Sequence, residues 1–261
     1  ASFQGKSFKE KISPWLKMRF SFLKPKLPGV NEPRTGLSMG ESTEIIAKEY
    51  KITRQDQDQL AFESHKNTAK AYDEGFYNDL ITPYQGISED NIMRRDTTVE
   101  KLDKLRTVFD KSSIGTMTPG NSTSLTDGSA AVLLSSEKWA KNNNLAIESY
   151  LTNCKIAAID YIDNEGLLMA PAYAVSDMLI EADLELQDFD FYEIHEAFAA
   201  QTLATLRAWK SDNFCKLKLN RDKAMGSIDP RKLNVKGGSL AIGHPFAATG
   251  ARIVATMSKL L

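Results

Sequence analysis

Lys236-Gly-Gly-Ser-Leu-Ala-Ile-Gly-His-Pro-Phe-Ala-Ala-Thr-Gly-Ala-Arg252 sets a histidine among glycines, at what reads as a strand-to-helix turn. Gly237, Gly238 and Gly243 let the backbone approach a ligand or take positive φ, and Pro245 presets φ for a first helical residue whose N–H has no partner. His244 is then displayed rather than buried. Ala247, Ala248, Gly250 and Ala251 give the opening turns of the following helix little bulk, so another backbone or a long thin ligand can lie against them. Taken alone, a Gly-His-Pro turn reads equally well as small-residue packing.

It does not stand alone. Asp188-Phe-Asp-Phe-Tyr-Glu-Ile-His-Glu-Ala-Phe-Ala-Ala-Gln201 is an apolar-alternating run that ends in His195-Glu196 and opens into an alanine-rich helix. Gly115-Thr-Met-Thr-Pro-Gly-Asn-Ser-Thr-Ser-Leu-Thr-Asp-Gly-Ser-Ala-Ala131, Met39-Gly40 before a helix, and Lys104-Leu-Arg-Thr-Val-Phe109 complete an ordered set. Together these stretches resemble the thiolase superfamily, in which an [NH]-E-A-F-A segment and a G-G-x-x-x-G-H-P segment build one active site. Histidine at 195, where biosynthetic members carry asparagine, resembles the degradative branch: the 3-ketoacyl-CoA thiolase β-subunits of fatty-acid β-oxidation complexes. The lead-in Trp15–Gly29 resembles those β-subunits as well.

The resemblance implies an α/β, thiolase-like fold: one βαβαβ-type half with a mixed sheet plus a helical loop-domain insertion, truncated at both ends. Its divisions fall at 1–34 (basic lead-in), 35–111 (loop domain), 112–136 (end of the N-terminal domain) and 137–261 (incomplete C-terminal domain). The implied reaction is cleavage of 3-ketoacyl-CoA by coenzyme A, a substrate rather than a bound cofactor. His244 would accept the thiol proton and face the thioester oxygen; His195 would complete an oxyanion hole. Glu196 reads either as orienting His195 or its loop, or as a buried structural carboxylate. Met39, Phe198 and Phe109 would line the acyl and pantetheine path, with Phe109 equally able to close the loop-domain core. Thr123 would offer a hydroxyl to a pantetheine amide, Arg94 (or its neighbour Arg95) would meet the nucleotide, and Gly243 would admit coenzyme A.

A thiolase also needs a nucleophilic cysteine in a C-x-S-G-type segment and an acid/base cysteine in a C-x-G-G segment. The only cysteines are Cys154 and Cys215, and neither has that setting. Cys154 reads as a buried structural thiol in a strand, and Cys215, in the charged Lys210–Lys216 stretch, as incidental with some reactivity lent by its lysines. The chain is therefore expected to be part of a longer thiolase, inactive as it stands. The alternative is a non-catalytic acyl-CoA-binding or assembly subunit of the same fold. Acyl-carrier-protein ketosynthases of the superfamily lack the large insertion, so residues 35–110 disfavour them.

At 261 residues with 42% hydrophobic content the chain is globular, and a net charge of −1 gives no argument for nucleic acid. In the first 26 residues Lys6, Lys9, Lys11, Lys17, Arg19, Lys24 and Lys26 face only Glu10. A solvated arm is the favoured reading, since Pro14, Pro25 and Pro28 interrupt any long amphipathic helix; contact with a membrane or an acidic subunit is the other. No apolar run approaches membrane-spanning length, and two unpatterned cysteines fit a reducing, cytoplasmic setting. No metal-ligand spacing occurs. A homo-oligomer and a β-oxidation α-subunit are the implied partners.

The pattern predicts helices over 41–75, with Thr53 as N-cap, Asp56 where a glutamate would complete a capping box, and Gly75 as terminator. His65 on that helix reads as a surface or packing residue. A short helix is expected within Val99–Phe109, and Asp127 reads as a cap or turn residue. Strands are expected at Ala130–Ser135, Ile147–Ile159 and Phe189–Ile194, alternating with helices at 136–142, 173–182 and 196–209, as in a parallel-type sheet covered on both faces.

Overall fold

The computed structural model describes residues 7–9, 12–13, 25, 29–162 and 166–261. Of the cations in the first 26 residues only Lys9 lies within them, so the expected basic arm falls outside the described residues.

Two capping boxes open the helical insertion. In α1 (Met39–Glu49) the Ser38 hydroxyl accepts from Glu41 N–H while the Glu41 carboxylate accepts from Ser38 N–H. In α2 (Arg54–Asp73) Thr53 and Asp56 do the same, so the shorter aspartate suffices. Gly75, at φ +72°, follows the end of α2 as expected. The next helix, α3 (Val99–Asp103), stops well before Phe109 because Val108 N–H turns to the carbonyl of Met117.

The remaining helices are α4 (Glu137–Asn142), α5 (Ala170–Ala182), α6 (Ala199–Lys210), α7 (Asp212–Lys218), α8 (Ser239–Ile242) and α9 (Thr249–Leu260). Helix α6 is the hub. Ala200, Ala204 and Ala208 recur at helical spacing, fully buried, and their small side chains let α1, α2, α5 and α7 close on one cylinder. Ile46, Met117, Met169, Leu179, Trp209 and Leu233 fill the core around it. Trp209 satisfies its indole N–H on the carbonyl of Ala172 at 3.2 Å.

The two cysteines exchange their expected places. Cys215 is fully buried in that core, its thiol 3.6 and 3.5 Å from the carbonyls of Ala208 and Trp209, whereas Cys154 is exposed. The charges flanking Cys215 misled because α7 turns them outward and the thiol inward.

The expected strands do not form among the described residues, where β-structure is confined to isolated bridges. Residues 130–135 and 147–159 carry no regular hydrogen bonding, and many of their apolar side chains lie open, Leu133 at 75% and Ile156 at 88% exposure, while Ile159 alone packs on the main core. A strand is defined by its neighbour, and among the described residues no backbone pairs with these stretches, although Ser149 meets Ser258 at 2.7 Å and Lys155 pairs with Glu181. Asp127 is likewise exposed and caps nothing; Ser136 caps α4 instead. Within Phe189–Ile194 a single parallel bridge joins Tyr192 to Leu233, and beyond it the Asn234 side chain takes both the N–H and the carbonyl of Ile194. That amide does locally what a strand partner would do.

The glycine-rich turn also departs from expectation. It follows a short helix, not a strand, and α9 begins at Thr249, not at Pro245. The reason is Glu196, whose carboxylate accepts the N–H of Leu240 at 3.2 Å and so nucleates α8, while Leu240, Ala241 and Ile242 bury against neighbouring helices. A Cβ at Gly237 (φ +86°) would lie 1.8 Å from Thr68 Oγ1, and one at Gly238 2.3 Å from the Glu196 carboxylate. The Gly-Gly pair is what allows this backbone to press against α2.

Candidate active site

Three of the sequence stretches converge. Thr123 donates its N–H to Ala197 O at 3.0 Å and its hydroxyl to Ser239 O at 2.6 Å, and Ser124 O accepts the N–H of His244 at 3.0 Å. Residues 121–125 therefore clamp the His195 loop to the His244 loop. The imidazole rings end up 4.2 Å apart, tilted by 45°.

Each ring is anchored through Nδ1. His195 Nδ1 lies 2.8 Å from Ser239 Oγ, and His244 Nδ1 lies 2.7 Å from Thr249 Oγ1. Burial, then His244 and the Arg252 cation, push His195 down to about 4; burial and Arg252 also lower His244. Both rings are neutral near pH 7, and a neutral imidazole offers one N–H and one lone pair. Phe246 covers His244 edge-on at 4.9 Å and is itself exposed, so the pair sits at the surface end of a buried network.

That network centres on Glu196. Its carboxylate is fully enclosed and accepts from Ser64 Oγ (2.7 Å), Asn234 Nδ2 (2.7 Å) and Leu240 N–H (3.2 Å). Burial raises its pKa, and these donors and Arg252 pull the other way. This geometry makes Glu196 a buried structural carboxylate that also holds the loop of His195, fastening α2, the 234 turn and α8 to it. Nearby, burial pushes Glu193 up to about 8; its Oε1 has no hydrogen-bond partner, nor have the buried Nε and Nη1 of Arg252.

The other expected residues divide. Phe198 and Phe109 meet edge to face at 5.7 Å, and the Phe109 ring also covers Gly40, where a Cβ would lie 2.1 Å from it. Met39 opens α1 with its side chain 53% exposed. Gly243, at φ +98°, caps α8 with no room for a side chain beside Thr126 and Ile92. Thr123 spends its hydroxyl proton on Ser239 O, so toward a ligand it can only accept.

Arg94 lies apart from the histidines. It borders a cleft of about 370 Å³ with Lys66, Lys70, Asp73 and Arg95. Arg95 pairs with Asp73 at 2.6 Å, whereas Arg94, like Lys66, makes no ion pair among the described residues. Arg94 N–H donates to His65 Nδ1, and His65 is buried and held neutral, a packing residue. Among the described residues no group of three or more His, Cys, Asp or Glu gathers as a metal site, and no helix is long and apolar enough to cross a membrane.

Ser64, Asn234, Ser239 and Arg252 escaped the sequence reading. Ser64 and Glu196 are 132 residues apart, and no local pattern announces such a pair. Ser239 and Arg252 both lie inside the glycine-rich stretch and meet each other, yet the other partner of Ser239 is His195, on a different element.

Comparison with known proteins identifies the family. Residues 18–138 match the family model of the thiolase N-terminal domain, and residues 145–261 that of the thiolase C-terminal domain. A 3-ketoacyl-CoA thiolase of Yersinia pestis is 44% identical over 264 residues, covering 98% of this chain and 60% of the relative. Among solved structures, human mitochondrial 3-ketoacyl-CoA thiolase in complex with CoA superposes with a TM-score of 0.73 at 30% identity, over 99% of this chain and 58% of that one. The acetyl-CoA acetyltransferase of Bacillus anthracis gives 0.70 at 34% identity, over 89% and 55%. The chain thus spans about 60% of the length of the curated relatives it matches.

Proposed function

The chain belongs to the thiolase family, and from that premise we propose that it is the coenzyme A-binding and oxyanion-hole portion of a 3-ketoacyl-CoA thiolase of fatty-acid β-oxidation. The whole protein would cleave a 3-ketoacyl-CoA with the thiol of coenzyme A, giving acetyl-CoA and an acyl-CoA shortened by two carbons. The observation that carries this reading is the pair of neutral imidazoles 4.2 Å apart, with His195 and His244 each anchored through Nδ1 and so turning Nε2 to the other side.

In this reading His244 takes the proton of a cysteine or coenzyme A thiol, and His195 donates to the oxygen that becomes negative as the C–C bond breaks. Phe198, Phe109 and Met39 border the acyl path, Gly243 keeps the turn thin, Thr123 accepts from a pantetheine amide and Arg94 meets the nucleotide phosphates. The divisions at 34, 111 and 136 stand as domain boundaries, and residues 130–135 and 147–159 as strands of the mixed sheet in the whole protein. A cytoplasmic homo-oligomer with a β-oxidation α-subunit is the assembly this implies.

In this reading both sulfur roles are vacant in this chain, since neither Cys154 nor Cys215 lies in a C-x-S-G or C-x-G-G segment and Cys215 is locked in the core. Supplied with 3-ketoacyl-CoA and coenzyme A, the 261-residue chain is expected to release no acetyl-CoA. A longer polypeptide carrying the two cysteine motifs is expected to release it. Turnover by the chain that vanished only on Cys154→Ser or Cys215→Ser would overturn this assignment.

A further inference from the structure

We propose that Ser239, held by Arg252, is a positioning residue that locks His195 in the tautomer protonated on Nε2, making His195 a dedicated hydrogen-bond donor. The inference rests on the thiolase reading for its purpose but not for its geometry.

Ser239 is fully buried, and its hydroxyl has two polar neighbours: Arg252 Nη2 at 3.0 Å and His195 Nδ1 at 2.8 Å. A hydroxyl has one proton to give, and a guanidinium can only donate. Were His195 to carry its proton on Nδ1, that N–H and the Arg252 N–H would fill both lone pairs of Ser239. The hydroxyl proton would then be buried with no acceptor, a costly arrangement. Ser239 therefore donates to Nδ1, and the one proton of the neutral ring sits on Nε2.

The neighbouring ring is set differently. Thr249 Oγ1 lies 2.7 Å from His244 Nδ1 but also 3.3 Å from the carbonyl of Pro245. Thr249 can give its proton to that carbonyl and accept from His244 Nδ1–H, which leaves His244 Nε2 as a bare lone pair. Two imidazoles in van der Waals contact are thereby assigned opposite duties by the hydroxyls behind them. Ser239 has no second acceptor and enforces a donor; Thr249 has one and permits a base. A donor that cannot turn into an acceptor never competes with His244 for the thiol proton.

The decisive measurement is the pair of imidazole ¹⁵N shifts of His195 in the whole protein at pH 7, assigned by comparison with His195→Asn. An unprotonated Nδ1 with a protonated Nε2 is expected, and a protonated Nδ1 would overturn the proposal without any variant having to fold. Ser239→Ala should then give averaged shifts for the two nitrogens and about a tenfold loss of turnover, less than the ~10²–10³ expected from losing the donor itself. In a His195→Ala background, Ser239→Ala should cost nothing further. An undiminished loss there would show that Ser239 merely supports the fold. If the whole protein had no thiolase activity, the function would fall while the ¹⁵N shifts still decided the tautomer.

Discussion

The histidine loops and the stretch from 130 to 159 have similar apolar content but opposite fates. Around Glu196 every segment finds a partner from elsewhere in the chain: Ser64 from α2, Asn234 from a turn, Leu240 from α8 and residues 121–125 alongside. Leu133, Leu134, Tyr150, Leu151 and Ile156, read as core from their pattern, lie exposed. The difference is not hydrophobicity. Helices close their own hydrogen bonds and need only a face to bury, whereas a strand stays incomplete until another strand lies beside it.

The sharpest way to break this comparison is at the histidines. In the whole protein, His244→Ala should lower turnover by several orders of magnitude, because it removes the base that takes the thiol proton and, once that proton is taken, the N–H that faces the thioester oxygen, read as kcat/KM for a 3-ketoacyl-CoA. His195→Ala should cost ~10²–10³, since only a donor is lost. His195→Asn should be partly tolerated, as an amide N–H replaces the Nε2–H. Equal losses for the three would show that the rings do not divide the work.

Stability at the hub gives the next largest effect. Glu196→Ala would leave Ser64, Asn234 and Leu240 without their shared acceptor, each a buried donor. Unsatisfied buried groups cost about 1–3 kcal/mol apiece, so a loss of about 3 kcal/mol or more is expected in urea unfolding. Glu196→Gln keeps the shape and one acceptor oxygen and should cost less. If Glu196→Ala were neutral, the carboxylate would not be what joins α2 and α8 to the histidine loop.

How much of this was legible in the sequence follows the same line. Thr53, Gly75 and the alanine-rich helix α6 could be read because caps and helical patterns are local. The convergence of residues 121–125, 195–198 and 239–244 was readable only through resemblance. Nothing in Gly238-Ser239 announces that the serine meets His195, 44 residues away. Cys154 and Cys215 were misplaced because apolar company was read as burial for one and charged company as exposure for the other. Burial depends on what lies opposite, and neither stretch contains that information.

The smallest effect tests the exposed side of the comparison. Leu133, at 75% exposure, touches no core cluster among the described residues, so Leu133→Ser removes little buried apolar area from this chain. Its stability should change by less than about 0.5 kcal/mol, the range of ordinary surface substitutions. Because the residue sits in an open apolar patch with Leu134, the substitution should also reduce self-association, seen as a smaller light-scattering mass at fixed concentration. Leu179→Ser is the internal contrast: fully buried in the core, it should destabilise by several times as much. If the two leucines cost the same, residues 130–135 are covered in solution. The strand expected there would then form within this chain instead of waiting for a neighbour outside it.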